Sequence, residues 1–176
     1  MTSTVASEGE LGAKVEALYR QGRAGKACRK SKQAVERFPS SKPLLYQHAE
    51  ITLSLGRLSE AKSVIKALLR IDPDWANTSY IAGVEALLDK RPAEARSYFE
   101  KTLRLNPCFY QARKFLADAC LDSGDLKAAG EIIEEELSKH SSDPSMANHI
   151  GGVVCSKAAL IARTNQSDAR KEIVTW

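Results

Sequence analysis

The amino-acid sequence predicts an all-α fold, an α-solenoid of antiparallel helix hairpins. Three observations predict it. Marker residues recur every 34 positions: Pro39, Pro73 and Pro107; Ala27, Ala61, Ala95 and Ala129; and Gly22, Gly56 and Gly124, with Lys90 in the remaining slot. Apolar residues recur at a spacing of three to four, the period of a helix with one buried face. No segment sustains the period-two alternation of a half-buried strand.

The period divides the chain into four units, 8–41, 42–75, 76–109 and 110–143, after a flexible lead at 1–7 and before a tail at 144–176. The second unit is the clearest. Its first helix is predicted over 43–55, with Leu45, His48, Ala49 and Thr52 on one face. Gly56 ends it, as a residue that tolerates positive φ. Its second helix is predicted over 59–71, with Ala61, Val64, Ile65, Leu68 and Leu69 as the inner stripe. Asp72-Pro73 stops that helix, because the residue before proline avoids the α region. In the third unit Pro92 stands where the second helix starts, a position that needs no backbone N–H.

Small residues explain how the helices approach. Ala49, Gly83 and Ala117 share one position of the first helices, and Ala61, Ala95 and Ala129 share one position of the second. Bulkier residues, Ile65, Phe99 and Ile133, fall where successive hairpins meet. One hairpin cannot bury both faces alone, so such units come in series. The first unit departs from the pattern: Val15 replaces the small residue and Ser31 the large one. In the tail, Ile150, Gly151 and Val154 repeat first-helix positions and the helix runs on through Ala158, Leu160 and Ile161. A turn is expected at 164–167, then a second helix over 168–176 with Ala169 and Ile173 four apart. This partial fifth unit reads as capping helices or as the cut end of a longer protein.

Composition agrees and excludes other classes. The 176 residues include 24 alanines, while aromatic residues make up only 6%, a mix that favours closely packed helices. Lys+Arg 26 against Asp+Glu 22 gives a formal charge of +4, so charges nearly cancel and the chain is not of the disordered type. The distribution is uneven: residues 1–75 carry 13 basic and 8 acidic side chains, residues 110–143 carry 4 and 8. No apolar run approaches the roughly 20 residues of a membrane span. The start, MTSTVASEGELG, lacks the basic and apolar regions of a secretory signal, so a cytoplasmic protein is expected. Cys28, Cys108, Cys120 and Cys155 form no CxxC pair and read as free thiols in a reducing compartment. His48, His140 and His149 lie far apart in the repeat frame, and no phosphate loop, HExxH or GxSxG occurs. The expectation is a non-enzymatic chain without metal or cofactor.

The 34-residue period, with small residues at positions 8 and 20, a large apolar residue at 24 and proline at 32, resembles the tetratricopeptide repeat (TPR) family. The second unit matches with Ala49, Ala61, Ile65 and Pro73, and the third with Gly83, Ala95, Phe99 and Pro107. The fourth matches with Leu116, Ala117, Ala129 and Ile133, but has Ser141 in place of proline. The resemblance implies a right-handed superhelix with first helices lining a concave groove. Carried over by position, it implies a partner-binding groove of Tyr46, Glu50, Leu53, Asn77, Tyr80, Val84, Leu87, Lys114 and Asp118, with Trp75 and Phe109 at the rim. Glu16, Tyr19, Gln111 and Asp122 occupy further groove positions.

Tyr46 and Tyr80 then form a ladder of interface anchors beside acids, which suits a peptide or helix carrying basic and apolar residues. The family's carboxylate clamp for acidic chaperone tails needs Lys, Asn and Arg at set positions. Here those positions hold Gly12, Glu16, Gln47, Asn77 and Ile81, or Tyr46, Glu50, Ile81, Gln111 and Phe115, and neither set fits. The early second helices carry a basic outer face, Lys26, Arg29, Lys30, Lys32 and Arg37, then Lys62, Lys66 and Arg70. No aromatic ladder accompanies it, so it reads as a solvated face rather than a nucleic-acid surface. The expected function is a protein–protein interaction scaffold or adaptor. The alternatives are a recognition arm of a larger enzyme such as a transferase, or self-association through the repeat ends at Leu11, Leu18 and 168–176.

Overall fold

A computed structural model describes residues 6–140 and 142–174, with side chains as far as Gln166. Every regular element among the described residues is helical, so the fold is all-α. The chain divides into two compact units, meeting in sequence between Asp89 and Lys90.

The first unit holds α1 (Glu8–Arg20), α2 (Ala24–Arg37), α3 (Lys42–Ser54), α4 (Leu58–Ile71) and α5 (Ala76–Leu88). The ends obey their sequence signals. Ser7 and Glu10 form a reciprocal capping box at the start of α1. Ser41 caps α3 through Leu44 N and also donates to Glu8 Oε1 at 2.5 Å. Gly22 and Gly56 end α1 and α3 at φ 71° and 70°. Ala6 packs with Leu11, Ala34 and Leu44, and Ser7 caps α1, so the last two residues of the expected lead are part of the packed structure. α1 packs on α2 and α3, and α3 packs on α4 and α5. Ala27, Ala49 and Ala61 are fully buried between them, as the small-residue pattern requires.

The irregular first repeat has a physical explanation. Val15 is fully buried and packs with Ala27, Cys28 and Ile51. Ser31 stands where the repeat calls for a large apolar residue, and it instead hydrogen-bonds to His48 across the α2–α3 contact, at 2.8 Å. A polar pair replaces an apolar one, and both members are satisfied.

The second unit holds α6 (Pro92–Leu105), α7 (Tyr110–Ser123), α8 (Leu126–His140), a 3-10 turn at Pro144–Met146, and α9 (Ala147–Val174). Phe99 is fully buried and stacks on Phe115, centroids 5.8 Å apart. Ala117, Ile133 and Val153 form one core cluster, and Cys120, Leu121 and Ala129 another. Gly124 ends α7 with φ 82°.

The tail departs from expectation. Residues 164–167 form no turn, and α9 continues through them to a length of 28 residues. Thr, Asn, Gln and Ser include weak helix formers but no Gly or Pro, so nothing breaks the ladder. Thr164 Oγ1 also bonds back to Leu160 O at 3.0 Å. The expected core roles of Ala169 and Ile173 lie outside the described side chains, and residues 175–176 lie outside the described residues altogether. No helix among the described residues is long and apolar enough to cross a membrane.

Candidate functional site

In the first unit, α1 and α3 present a shared depression of about 460 Å³. Helical spacing brings Glu8, Gly12 and Glu16 to one face of α1, and Pro43, Tyr46, Gln47 and Glu50 to one face of α3. Trp75 and Asn77, at the start of α5, close one side. Five of the residues expected at the groove, Glu16, Tyr46, Glu50, Trp75 and Asn77, therefore line one cavity. Gln47, marked in the sequence only as a clamp position that does not fit, also lines the cavity. Its Nε2 donates to Gly12 O at 3.2 Å, while its Oε1 is buried without a hydrogen-bond partner.

The electrostatics of this depression are one-sided. Glu16 is held by Arg20 at 2.7 Å on the same helix. Glu50 forms no ion pair with any cation among the described residues. Loss of hydration raises its carboxyl pKa, and the neighbouring Glu16 charge raises it further. Tyr46 and Tyr80 both feel Glu50. Burial is the main cause that lifts the Tyr80 phenol to about 12, with the Glu50 charge adding to it. Tyr46 is pushed higher still by burial, then by Glu50 and Tyr80. Tyr46 meets Trp75 edge-on, centroids 5.8 Å apart. Lys42 stands at the rim, 5.4 Å over the Trp75 ring, with its charge committed to Asp72 at 2.7 Å. Hence the depression is aromatic and acidic, and the nearby cation is already paired.

The remaining groove residues fall in different surroundings. Val84 and Leu87 are half-buried on α5, in helical register with Tyr80. Leu53 is only 6% exposed, so it belongs to the core and not to a lining. Tyr19 packs against the cluster of Val15, Ala27, Cys28 and Ile51.

In the second unit Lys114 lines a smaller depression of about 310 Å³ with Gln111, Phe115, Asn148, His149 and Gly152. Its ammonium bonds Asp118 and lies 4.5 Å over the Phe115 ring. Asp118 also accepts from Ser156 Oγ at 2.6 Å. Lys114 and Asp118 thus neutralise each other. Asp122 is bound by Arg163 at 2.8 Å, and Phe109 is half-buried at the start of α7.

One arrangement has the residue order of a nucleophile relay. Ser31 Oγ meets His48 Nδ1 at 2.8 Å, and His48 Nε2 lies 3.5 Å from Glu60 Oε1. Ser31 is 1% and His48 3% exposed, and Ser31 also donates to Cys28 O at 3.0 Å. Burial lowers the His48 pKa, against the opposing pull of Glu60. A substrate cannot reach this hydroxyl, so the trio is a satisfied polar contact of the core. Of the free thiols, Cys28 and Cys120 are buried, which raises their pKa values; Cys108 and Cys155 are exposed. No cluster of three metal-ligating side chains occurs among the described residues.

Comparison with known proteins supplies the family. A family model described as tetratricopeptide repeat matches residues 18–88 and 86–148. No curated protein matches. Among solved structures, the chain is similar to TTC0263, a thermophilic TPR protein of Thermus thermophilus, with TM-score 0.72, 17% identity, and coverage of 91% of this chain and 89% of that one. It is similar to residues 41-end of MamA from Desulfovibrio magneticus RS-1, with TM-score 0.68, 18% identity and 78% of each chain covered. It is also similar to the first TPR of Spaghetti (RPAP3) bound to an HSP90 peptide, SRMEEVD, with TM-score 0.59, 18% identity, and 64% and 89% covered.

Proposed function

The chain belongs to the tetratricopeptide repeat family, and on that premise we propose that it is a protein-interaction scaffold whose first unit captures a basic, partly apolar segment of a partner. The 34-residue units at 8–41, 42–75, 76–109 and 110–143 are the framework of this reading. The observation that carries it is Glu50: an acid set near Tyr46, Tyr80 and Glu16, with no ion-pair partner among the described residues. Such a group gains most from a cation that arrives with a ligand. Tyr46 and Trp75 offer the large, semi-polar surfaces that anchor interfaces. The buried Gln47 Oε1 adds an acceptor that lacks a donor. The RPAP3 domain holds a peptide with two adjacent glutamates; the acids of this depression select the opposite charge. Tyr80, Val84 and Leu87 offer further apolar contact along α5.

Fluorescence anisotropy with a labelled Lys/Arg/Leu peptide tests this reading against a Glu/Leu peptide of the same length. Tight binding of the basic peptide, lost on Tyr46→Ala with Glu50→Gln in a variant that still melts cooperatively, is the expected result. Equal affinity for both peptides, or binding indifferent to both substitutions, overturns it.

A further inference from the structure

The outward face of α2 is densely cationic and lacks the first-turn acid that α4 and α6 carry. Residues 23–37 carry Arg23, Lys26, Arg29, Lys30, Lys32 and Arg37 against a single acid, Glu36. At 100° per residue, Arg23, Lys26, Arg29, Lys30 and Arg37 fall within an arc of about 120°, along ~21 Å of helix. The opposite side of α2 is buried through Ala27, Cys28, Ser31 and Ala34. None of these cations forms an ion pair with a carboxylate among the described residues. Other helices mix paired cations, as in Lys42–Asp72, Lys62–Asp89, Arg96–Asp125 and Lys157–Glu134, with single ones such as Lys66 and Arg104 that are unpaired among the described residues; α2 gathers its unpaired cations in one row.

The arrangement disfavours the helix itself. α4 and α6 each carry an acid in the first turn, Glu60 and Glu94, where the helix dipole favours negative charge. α2 has none there and places Lys26 instead. Lys26 then faces Arg29 and Lys30 at spacings of three and four, a repulsive geometry. Local rules broken without compensation inside the fold point to a role outside it.

We propose that this ridge docks an acidic segment of a partner protein, with carboxylates at helical spacing. Charge complementarity selects the occupant: a linear row of cations matches a linear row of acids at the same pitch. A nucleic-acid strand fits less well, because no aromatic ring is free on the face to stack a base. Phe38, at the end of α2, packs with Leu11, Ala34 and Leu44 and carries the Arg37 guanidinium at 5.2 Å. A lipid surface also fits less well, because the apolar side of α2 is spent in the core and nothing remains to insert. This inference does not rest on the groove reading. Together the two give one unit with an acidic inner depression and a basic outer ridge, able to bridge partners of opposite charge.

The test uses the full chain and three probes: a labelled helical peptide with Glu at every third and fourth position, single-stranded oligouridylate, and phosphatidylserine vesicles. The acidic peptide binds most tightly, and affinity falls steeply with salt. The triple variant Lys26→Glu/Arg29→Glu/Lys30→Glu weakens it at least tenfold, with the melting temperature unchanged or raised because the dipole is now matched. Should that variant fail to fold, the triple Gln variant serves, with a smaller loss. Tyr46→Ala leaves the acidic peptide bound, which separates this site from the groove. The proposal is overturned if the oligonucleotide or vesicles bind more tightly than the peptide. It is equally overturned if the folded triple variant binds the peptide as the native chain does.

Discussion

His149 Nε2 lies 2.7 Å from Glu136 Oε2, joining the start of α9 to α8 at a carboxylate that is 1% exposed. Arg113 of α7 donates to the other oxygen, Oε1, at 3.0 Å. Three helices therefore meet on one buried acid. Glu136→Ala removes the buried partner of both Arg113 and His149. Arg113 keeps Pro107 O at 3.0 Å and Glu135 at 3.7 Å. The loss therefore falls toward the low end of the cost of breaking a buried pair, about 3–5 kcal/mol. His149→Ala leaves the Arg113–Glu136 bond intact and removes one hydrogen bond to a charged group, about 1.5–3 kcal/mol. Thermal and urea melts of the two variants check the order. A Glu136→Ala protein as stable as His149→Ala removes the acid from its central place.

Much of this fold is legible in the sequence because the repeat imposes it. Ala27, Ala61, Ala95 and Ala129 are fully buried, as their shared period predicts. Phe99 and Ile133 fill the seams, and the expected helices at 43–55 and 59–71 appear as Lys42–Ser54 and Leu58–Ile71. The misses have particular causes. The Ser31–His48 bond is hidden because a polar pair at apolar positions looks like a defect until both members are seen together. The turn expected at 164–167 rests on weak helix formers, and weak propensity alone does not end a helix that is already propagating. Position in the repeat assigns Leu53 to the groove, but it ignores how deep a side chain sits. Gln47 reads in the sequence only as a clamp position that does not fit, because its importance lies in an unpaired oxygen, which no spacing reveals.

Glu50 gives a prediction about stability as well as binding. Its carboxyl pKa is raised above the ordinary 4.5 by burial, with Glu16 adding to it. The folded chain therefore holds this proton more firmly than the unfolded chain. The stabilisation is complete below the ordinary carboxylate range and is lost as pH rises through the folded value. At pH 7 the ionised group is a liability, so Glu50→Gln raises the melting temperature there. The gain shrinks as the pH is lowered toward 4.5. A gain that persists unchanged at low pH contradicts this origin.

His48 acts in the opposite sense. Burial lowers its pKa below the ordinary 6.5, so the unfolded chain takes up the proton first on acidification. Its contribution to stability is intact above about pH 6.5 and falls as the pH descends toward the folded value. Melting temperatures of the native chain and His48→Gln, compared from about pH 7.5 to about pH 5, isolate this part from that of Glu50. The native chain loses more over that range. A pair of parallel curves rules it out.

Lys90 occupies the slot that Gly22, Gly56 and Gly124 hold in the other repeats, and it adopts their backbone, with φ 60°. A side chain bearing Cβ costs roughly 1–2 kcal/mol in this left-handed region. Glycine removes that strain but returns some unfolded-state entropy, so Lys90→Gly is expected to stabilise the chain by about 0.5–1 kcal/mol net. The reverse experiment supplies the control. A Cβ added at Gly56 or Gly124 meets no atom within 4 Å, so any loss in Gly56→Ala or Gly124→Ala reports backbone strain rather than a clash. Both variants should lower the melting temperature while Lys90→Gly raises it. A Lys90→Gly protein that melts below the native chain means that the lysine side chain contributes more to stability than its backbone strain removes.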